Sequence, residues 1–528
     1  MRALPVLPDS ALPAARPGAA QQPRPARPAP AAAGLAATPA ANCTFARGCG
    51  DAPPPALPAE VAALVRNHPC YSEDAHHHFA RMHVAVAPGC NLQCNYCNRK
   101  YDCSNESRPG VVSERLSAEA AVRKVLAVAA EVPELSVVGI AGPGDALANP
   151  AATYATLEGI RRAAPDLTLC LSTNGLALPA HADRLADLGV RHVTVTVNAI
   201  DPTVGAEIYA WALDGGRRLR GRDAAALLSE RQLEGIRRLV ARGVLVKVNA
   251  VVIPGLNDAH LPAVVRAVRG AGAFLVNLVP LISAPEHGTA FGLAGRRGPT
   301  AAELERVQRA CEVDARLMRH CRQCRADAVG RLAEDRFAEF TLARLPPAPA
   351  RDAAELRTAR RALVERARAI AARERDAALS RAAAVPAEVT ARAAVATRSG
   401  GLVDEHFGHA REFLVYDVSR SGARLVGRRA VERYCVGGEG EDDVLAGSLR
   451  ALADCHAVLV AKVGRCPEGQ LAAAGIEPVR DQAHRPIEAA LLDWLADRIA
   501  RAARGEAAPV APRPAADEPG ADAAARVA

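Results

Sequence analysis

The stretch VAPGCNLQCNYCNRKYDC, residues 86–103, places four of the chain's fourteen cysteines within fourteen positions. Cys90, Cys94 and Cys97 form a C-x3-C-x2-C pattern that directly follows an apolar segment. Closely spaced cysteines in a reducing compartment bind metal or carry out redox chemistry more often than they form structural disulfides. The pattern therefore predicts a metal centre in a loop that follows a strand.

Composition excludes several classes of protein. A chain of 528 residues is too long for one ordinary core, so we expect two or more domains. The net charge of +8 comes with only 3% aromatic residues, which disfavours nucleic-acid binding. No apolar run reaches the ~18 residues of a membrane span, and the N-terminus MRALPVLPDSALPAARPGAA has no secretory h-region. We expect a soluble cytoplasmic protein without nucleic-acid or membrane partners.

Between about residues 60 and 345, short β-rich runs alternate with helical stretches. The β-rich runs are HVAVA (83–87), ELSVVGIAG (134–142), LTLCLSTNG (167–175), HVTVTVNAI (192–200), VLVKVNAVVIPG (244–255) and FLVNLVPL (274–281). Segments such as AEAAVRKVLAVAAEV (118–132), HADRLADLGV (181–190) and EGIRRLVARG (234–243) have helical spacing. Strands that alternate with helices form right-handed βαβ units. The fold class is therefore α/β, with a partial or complete parallel α/β barrel.

Shifts in composition predict five regions. Residues 1–56 are rich in Ala and Pro, cannot offset their chain entropy and are expected to be disordered. The barrel domain is predicted over 57–345, a polar linker helix within 346–390, a smaller α/β domain over 391–504 and a second disordered tail over 505–528.

The cysteine spacing suits one type of centre best. A single loop with three cysteines can hold three irons of a [4Fe–4S] cluster and leave the fourth open for S-adenosylmethionine. The alternative is a structural zinc site, but zinc usually takes four closed ligands with paired CxxC spacing. With Tyr96 just before the third cysteine, the motif resembles that of the radical S-adenosylmethionine superfamily. The resemblance implies a parallel barrel with a [4Fe–4S] cluster and S-adenosylmethionine as cofactors.

Polar residues at later strand ends fit the same resemblance. The superfamily's Gly-rich turn, which binds the amino group of S-adenosylmethionine, corresponds to GIAGPGD (139–145), although Pro143 interrupts the glycines and Asp145 replaces a glutamate. Carboxyl ends of barrel strands usually face the active site. The residues expected to bind the cofactor are Tyr96, Gly142, Gly144, Asp145, Ser172, Thr173, Asn174 and Asn198. Each of the strand-end residues could equally be an ordinary turn residue.

More potential ligands are present than one cluster needs. They are Cys70, His83, Cys103, Cys170 and the CRQC pair Cys321 and Cys324. Alone, Cys170 fits a small buried apolar residue and His83 a packed histidine. The CRQC pair indicates a site more strongly, because paired cysteines in a reducing compartment are seldom accidental.

Longer segments carry a second, more specific resemblance. HPCYSEDAHHHFARMHVAVAPGCNLQCNYCNRKYDCSNESRPGVVSE (68–114), AGPGDALANP, LSTNG, PLISAPEHGTAFG and CRQCRADAVG resemble the NifB family, radical S-adenosylmethionine maturases that build the core of the nitrogenase iron–molybdenum cofactor. This resemblance covers roughly residues 65–335. SGGLVDEHFGHAREFLVYDV (399–418) resembles the start of the NifX-like domain that many members carry.

The family resemblance implies a reaction and a ligand set. A lyase-type radical enzyme would fuse two [4Fe–4S] substrate clusters, an added sulfide and a carbide derived from S-adenosylmethionine into an 8Fe–9S–C precursor. Cys90, Cys94 and Cys97 would hold the radical cluster. The substrate clusters would be held by Cys70, His83 and Cys103 and by Cys321 and Cys324, with Cys170 engaged during fusion. Glu106 would handle protons or contact a cluster, or else be a surface or capping carboxylate.

The resemblance also implies partners. These are iron–sulfur cluster donors, an electron donor such as ferredoxin, and NifX and NifEN-type acceptors of the product. We expect the NifX-like domain to dock or hold the product, and its deletion to leave cluster fusion intact. Its residues His406, His409, Cys435, Cys455 and Cys466 fit turn and core positions better than a site. Cys43 and Cys49 have no assigned role.

Two other functions remain open on the sequence alone. A radical S-adenosylmethionine enzyme that modifies peptides usually has many further cysteines after the barrel, whereas only one CxxC follows it here. An iron–sulfur scaffold or carrier would need no open-iron site for S-adenosylmethionine, so the C-x3-C-x2-C motif argues against it.

Overall fold

The computed structural model describes residues 57–98, 109–332, 334–345, 354–436, 439–440, 442–506 and 510. The predicted N-terminal tail with Cys43 and Cys49, most of the predicted C-terminal tail, and the segment with Cys103 and Glu106 lie outside the described residues. The side chain of Cys435 is also not described.

The first part of the chain alternates strands and helices. Its strands are β1 (Ala80–His83), β2 (Leu92–Cys94), β3 (Leu135–Ile140), β4 (Thr168–Thr173), β5 (His192–Thr196), β6 (Tyr209–Asp214), β7 (Arg217–Leu219), β8 (Leu245–Val252), β9 (Leu275–Pro280) and β10 (Val329–Gly330). Its helices are α1 (Ala59–Val65), α2 (Ala75–His78), α3 (Ala118–Glu131), α4 (Pro150–Ala163), α5 (Leu178–Asp187), α6 (Pro202–Ile208), α7 (Gly221–Ala241), α8 (Leu261–Gly270), α9 (Ala290–Leu293) and α10 (Ala301–Glu312).

The main sheet has the strand order β10-β1-β3-β4-β5-β8-β9. Strands β1, β3, β4, β5, β8 and β9 are parallel to their neighbours, and β10 is antiparallel to β1. The two end strands of this order, β10 and β9, are not paired with each other, so the sheet is an open, curled half-barrel. The α/β parallel-barrel prediction is confirmed in its partial form.

All six predicted β-rich runs contribute to this sheet, but the first is displaced. HVAVA was expected at 83–87, whereas β1 ends at His83. Residues Val84 to Ala87 are almost completely buried without continuing the regular ladder. Their apolar character therefore reflects burial under the loop that follows, and a buried run can be mistaken for a strand.

Helices cover the outer face of the sheet and complete its core. Ser117 caps α3 by accepting a hydrogen bond from the Ala120 amide at 3.1 Å. Val125 and Val128 of α3 pack in the same buried cluster as Leu171 and Val193 of the sheet. This packing leaves the inner face of the half-barrel for polar side chains.

A second small sheet, β2-β6-β7, supports the cysteine loop. Gly215 and Gly216 join β6 to β7 and both have positive φ values, 54° and 79°. Two consecutive residues with positive φ are typical of a type I′ hairpin turn. The hairpin gives β2 an antiparallel partner in which Cys94 pairs with Tyr209, after a shift in register between Gln93 and Cys94.

The C-terminal part begins with a long helix and continues as a mixed sheet. Its elements are α11 (Ala354–Ala382), β11 (Ala391–Val395), β12 (Glu412–Ser419), β13 (Gly422–Ala430), β14 (Cys435–Val436), β15 (Glu439–Gly440), α12 (Asp442–Ala451), β16 (Ala457–Leu459), α13 (Arg465–Ala473), β17 (Glu477–Val479) and α14 (Ile487–Ala503). The sheet order is β13-β12-β11-β16-β17, with β11, β16 and β17 parallel.

Helix α11 contacts both parts of the chain. Arg357 donates two hydrogen bonds, at 2.7 and 2.6 Å, to the carboxylate of Asp166 in the half-barrel part. Ala378 and Ala382, near the other end of the helix, pack with Leu491 and Leu495 of α14. No helix within the described ranges combines the length and the apolar character needed to cross a membrane.

Candidate functional site

The C-x3-C-x2-C loop lies at the carboxyl end of the parallel sheet. Cys90, Cys94 and Cys97 are half-buried and form no disulfide. Gln93 donates hydrogen bonds from Nε2 to the carbonyls of Cys94 and Cys97, both at 3.0 Å, and the Cys97 amide donates to the Cys94 carbonyl at 3.1 Å. The backbone between the second and third cysteines is therefore fixed, which orders the loop for a cluster.

Asp145 connects two strand ends beneath this loop. Its carboxylate accepts hydrogen bonds from the Thr173 hydroxyl at 2.9 and 3.1 Å, the Asn174 amide at 2.5 Å and the Leu147 amide at 2.9 Å. Burial raises the pKa of Asp145 above its ordinary value, while these hydrogen bonds oppose the increase. The side chains of Asp145 and Thr173 are thus hydrogen-bonded to each other. This geometry supports a role in positioning the two strand ends.

Asn174 extends this network to the cysteine loop. Its side-chain amide donates to Asn91 Oδ1 at 2.7 Å and lies 3.7 Å from the Cys90 sulfur. Ser172 is half-buried two residues earlier in β4. The structure therefore brings one of the polar strand ends predicted for cofactor binding into direct contact with the first cysteine.

The Gly-rich turn packs tightly against the same loop. The Gly144 amide donates to the Ala87 carbonyl at 2.7 Å, and the Asp145 amide donates to the Gly89 carbonyl at 2.7 Å. A Cβ atom at Gly144 would overlap the Gly89 carbonyl. Gly142 has a φ of 135°, which L side chains rarely adopt. Gly144 is therefore required by the close approach of the two backbones, and Gly142 by its positive φ.

Tyr96 and Asn198 form a second link between the loop and the strand ends. Asn198 donates from Nδ2 to the Tyr96 hydroxyl at 2.8 Å and accepts from the Val251 amide at 2.8 Å. Burial raises the pKa of Tyr96 well above its ordinary value. Asn198 is completely buried and orients Tyr96.

Deeper in the half-barrel, potential ligands share one layer of the sheet. His83, Gly139, Cys170 and His192 are successive register partners across β1, β3, β4 and β5. A Cβ atom on Gly139 would lie 3.2 Å from the His83 ring and 3.7 Å from Cys170 Cβ. His83 and Cys170 therefore flank Gly139 on one face, and the missing side chain leaves room between them.

The CRQC loop brings two further thiols to this region. Gln323, between the two cysteines, has a φ of 49°, an uncommon left-handed conformation for a residue other than glycine. Cys321 Sγ accepts a hydrogen bond from Asn277 Nδ2 at 3.2 Å, and Cys324 Sγ accepts one from Arg81 Nη2 at 3.1 Å. Both donors come from the sheet, so the sheet orients the loop.

Cys70 completes the group of inner thiols. It packs in the same buried cluster as Cys321 and Cys324. Burial raises the pKa of its thiol, and the neighbouring charges that act on it are those of Lys247, Cys324, Arg81 and Cys321. The pKa of Cys170 is raised to about 12, first by burial and then by Cys70. Cys70 is therefore close enough to interact electrostatically with each of the other three thiols.

Sequence reasoning missed three residues of this inner region. They are Arg81, Lys247 and Asn277, all nearly inaccessible to solvent. The available signal was a polar residue at alternate positions of an otherwise apolar strand, as in LVKVNAVV, because alternate residues of a strand share a face. This signal is weak, because each of these strands carries only one or two such polar residues.

The C-terminal residues considered in the sequence do not join this group. The rings of His406 and His409 lie 4.6 Å apart, and His406 Nδ1 accepts a hydrogen bond from the Gly408 amide at 3.0 Å. Cys455 is buried and Cys466 is exposed. In the described parts of the chain, no three or more His, Cys, Asp or Glu side chains converge on a single metal ion.

Comparison with known proteins identifies the family. The Radical SAM superfamily model matches residues 84–268, and the Dinitrogenase iron-molybdenum cofactor model matches residues 389–497. The "FeMo cofactor biosynthesis protein NifB" of Bradyrhizobium diazoefficiens is 54% identical over 468 residues, which is 88% of this chain and 92% of the relative. This chain belongs to the NifB family.

Two further matches were found. The NifB protein of Herbaspirillum seropedicae is 54% identical over 87% of this chain and 88% of its own length. The crystal structure of Streptococcus suis SuiB bound to S-adenosylmethionine matches 45% of this chain and 49% of that chain, with a TM-score of 0.34 and 12% identity.

Membership of the NifB family establishes the general activity. The protein is a radical S-adenosylmethionine enzyme of iron–molybdenum cofactor biosynthesis and has a C-terminal NifX-like domain, which places it in nitrogen fixation. The superfamily implies a [4Fe–4S] cluster and S-adenosylmethionine as cofactors. Three half-buried thiols that form no disulfide and lie on one ordered loop are a suitable donor set for that cluster.

Proposed function

We propose that this NifB-family protein fuses two [4Fe–4S] substrate clusters, an additional sulfide and a carbide from S-adenosylmethionine into the 8Fe–9S–C precursor of the nitrogenase cofactor. The observation that carries the proposal is the convergence of Cys70, Cys170, Cys321 and Cys324 inside the half-barrel. An enzyme that uses only the radical cluster has no need of this second thiol group.

Strand β4 connects the two groups of thiols. Cys170 precedes Thr173 by three residues in β4, which corresponds to roughly 10 Å of strand. Thr173 and Asn174 belong to the network beneath the radical cluster loop. Substrate bound to the inner thiols would therefore lie directly below the cofactor, as transfer of carbon between them requires.

In this proposal the site residues have distinct roles. Cys90, Cys94 and Cys97 hold the radical cluster, which when bound supplies the electron that cleaves S-adenosylmethionine. The expected substrate ligands are Cys70, His83 and Cys103 for one cluster and Cys321 and Cys324 for the other, with Cys170 engaged during fusion. Gly142, Gly144 and Ser172 line the cofactor side, and Asp145, Thr173 and Asn198 hold the backbone and Tyr96 in place.

The proposal extends to the surroundings of the reaction. The substrate clusters come from iron–sulfur cluster donors, and an electron donor such as ferredoxin reduces the radical cluster. NifX and NifEN-type proteins receive the product. Exchangeable, reduced clusters assign the reaction to the cytoplasm. Glu106, which lies outside the described residues, is proposed to handle protons.

The deciding experiment follows the methyl carbon of S-adenosylmethionine. The protein is reconstituted anaerobically with iron and sulfide, then given reductant and methyl-labelled S-adenosylmethionine. Label in a protein-bound iron–sulfur product, with 5′-deoxyadenosine and S-adenosylhomocysteine, supports carbide insertion. Deoxyadenosine without label transfer contradicts it and indicates a different substrate. No cleavage by fully loaded protein favours a cluster scaffold.

Variants make this experiment residue-specific. Cys170→Ala is expected to abolish label in the product, because it removes the inner thiol closest to the cofactor along β4. Cys466→Ala, which removes an exposed thiol of the C-terminal domain, is the matched control and is expected to behave as the unaltered protein. Equal labelling in both variants would exclude a role for Cys170 in fusion.

A further inference from the structure

A buried lysine lies among the inner thiols. Lys247 stands in the middle of the inner face of the half-barrel, where its register partners are Thr194 of β5 and Leu275 of β9. Only 6% of the residue is accessible to solvent. Lysine is almost never buried to this extent without a partner of opposite charge.

No carboxylate in the described parts of the chain pairs with Lys247. Its amine lies 4.0 Å from the Met318 sulfur and 5.7 Å from the centre of the Tyr71 ring. A thioether and a ring face compensate a buried charge only weakly. Lys124 shows the usual arrangement, because it is equally buried and lies 2.6 Å from a carboxylate oxygen of Glu114.

The choice of lysine is itself informative. Lysine occupies only four positions of this arginine-rich chain, 100, 124, 247 and 462. An ammonium group is a compact point charge with three donors, whereas guanidinium is a planar fork suited to carboxylates and phosphates. A compact cation in a pocket of thiols suits a rounded anion with sulfur acceptors.

The positive charge of Lys247 affects the pKa values of both the thiols and the histidines around it. It opposes the burial that raises the pKa of Cys70 and Cys170. The same charge adds to the burial that lowers the pKa of His83 and His320. Lys247 therefore lies near the predicted substrate ligands Cys70 and His83 and near Cys170, so that it is close to thiols from two separate segments.

We propose that the Lys247 ammonium is the counter-ion of the substrate site and binds the anionic iron–sulfur cluster that is held by Cys70 and lies next to Cys170. This inference rests on the proposed cluster-fusing function. The lysine donates N–H bonds to cluster sulfides, and the bound anion supplies the opposite charge that no carboxylate of the described residues supplies. Hydrogen bonds to cluster sulfurs raise the reduction potential, so Lys247 also makes the bound substrate easier to reduce.

The test compares Lys247→Met, which keeps the length and removes the charge, with Lys247→Arg, which keeps the charge. Lys462→Met removes an exposed lysine of the C-terminal domain and serves as the matched control. Each protein is reconstituted with iron and sulfide alone. Iron per chain and the electron paramagnetic resonance signals of the reduced clusters are then measured during exposure to a chelator.

We expect Lys247→Met to lose substrate-cluster iron at least threefold faster than the control, with a lower midpoint potential for what remains. Lys247→Arg should recover part of the difference. Iron on Cys90, Cys94 and Cys97 should be retained, because these ligands lie on another loop. Substrate-cluster iron and potentials equal to those of the control would overturn the inference while leaving the proposed function intact.

Thermal unfolding of the cluster-free protein gives an independent readout. Removing a buried charge without a counter-ion should leave the melting temperature of Lys247→Met equal to or above that of the unaltered protein. A lower melting temperature, or failure to fold, would assign Lys247 a structural role and overturn the inference. If the unaltered protein binds only the radical cluster, the proposed function fails and this inference fails with it.

Discussion

Arg322 of the CRQC loop donates a hydrogen bond to the carboxylate of Glu412 at the start of β12. The same carboxylate accepts a hydrogen bond from Arg428 of β13 at 3.2 Å, and Arg319 donates to the Val426 carbonyl at 2.8 Å. The NifX-like domain thus packs directly on the loop that carries Cys321 and Cys324. A movement of the NifX-like domain would therefore first displace the loop that carries Cys321 and Cys324.

Glu412→Gln is expected to loosen the contact between the domain and the loop. Burial alone would raise the pKa of Glu412, but Arg322 and Arg428 hold it below its usual range, so the carboxylate is charged at neutral pH. Its loss leaves Arg322, only 15% exposed, without its anion. We expect a loss of about 1–2 kcal/mol in domain docking and faster amide hydrogen exchange over residues 319–324.

The exposed pair Arg504 and Glu506 provides the control for this prediction. Glu506→Gln should change neither exchange over residues 319–324 nor unfolding. Equal exchange in the Glu412→Gln variant and the unaltered protein would show that the Arg322 contact does not hold the domain.

Deletion of residues 391–528 is expected to leave carbide insertion intact. The donors to the Cys321 and Cys324 sulfurs are Asn277 and Arg81, both in the half-barrel sheet, so the thiols keep their orientation without the C-terminal domain. The measurement is label transfer from methyl-labelled S-adenosylmethionine. Normal cofactor cleavage with no label in the product would contradict this prediction and give the domain a part in fusion.

Gly144→Ala is expected to disrupt the radical cluster site. The added methyl group would overlap the Gly89 carbonyl, a backbone atom next to Cys90, so the loop must move. We expect at least a tenfold loss of S-adenosylmethionine cleavage and lower radical-cluster iron. Gly270→Ala, at the end of α8 with open space around the added carbon, is the control. Cleavage by Gly144→Ala at the control rate would show that the contact is not required.

The sequence predicted the half-barrel well because several of its strands, such as β3, are buried along their whole length and therefore read as continuous apolar runs. It missed the β6–β7 hairpin that holds Cys94. The segment YAWALDGGRRLR carries the signal, since Gly215 and Gly216 separate two short extended runs. It was overlooked because the surrounding chain is helical and the strands are only six and three residues long.

The chemistry of the site was predictable to the extent that it resides in sequence motifs. Cys90, Cys94 and Cys97 are defined by local spacing. The convergence of Cys70 with the CRQC pair depends instead on β10 pairing with β1, a contact between segments some 250 residues apart. Such long-range pairing has no local signature. The alternation in LVKVNAVV predicts that Lys247 and Asn249 share a face of the strand, but not that this face meets thiols from distant segments.

The last prediction concerns acid stability of the NifX-like domain. Asp454 accepts hydrogen bonds from Arg429 Nη2 at 2.7 Å and Arg392 Nη1 at 2.8 Å. Burial would raise its pKa, but the two arginines lower it from the ordinary 3.8 to about 2. A carboxyl group whose pKa is lower in the folded state than in the unfolded state stabilises the fold at pH values above its pKa in the unfolded state. This stabilisation, about 2 kcal/mol at pH 7, is lost as the pH falls from about 4 to about 2.

Asp454→Asn should therefore unfold about 2 kcal/mol more easily at pH 7, and the difference from the unaltered protein should shrink below pH 4. Urea unfolding of the cluster-free protein measures this through Trp494, which is buried in the domain, on a Trp211→Phe background. Asp497→Asn, which removes an exposed partner of Arg501, is the control and should change stability by less than about 0.5 kcal/mol. A difference that persists unchanged at pH 3 would show that the Asp454 charge is not its source.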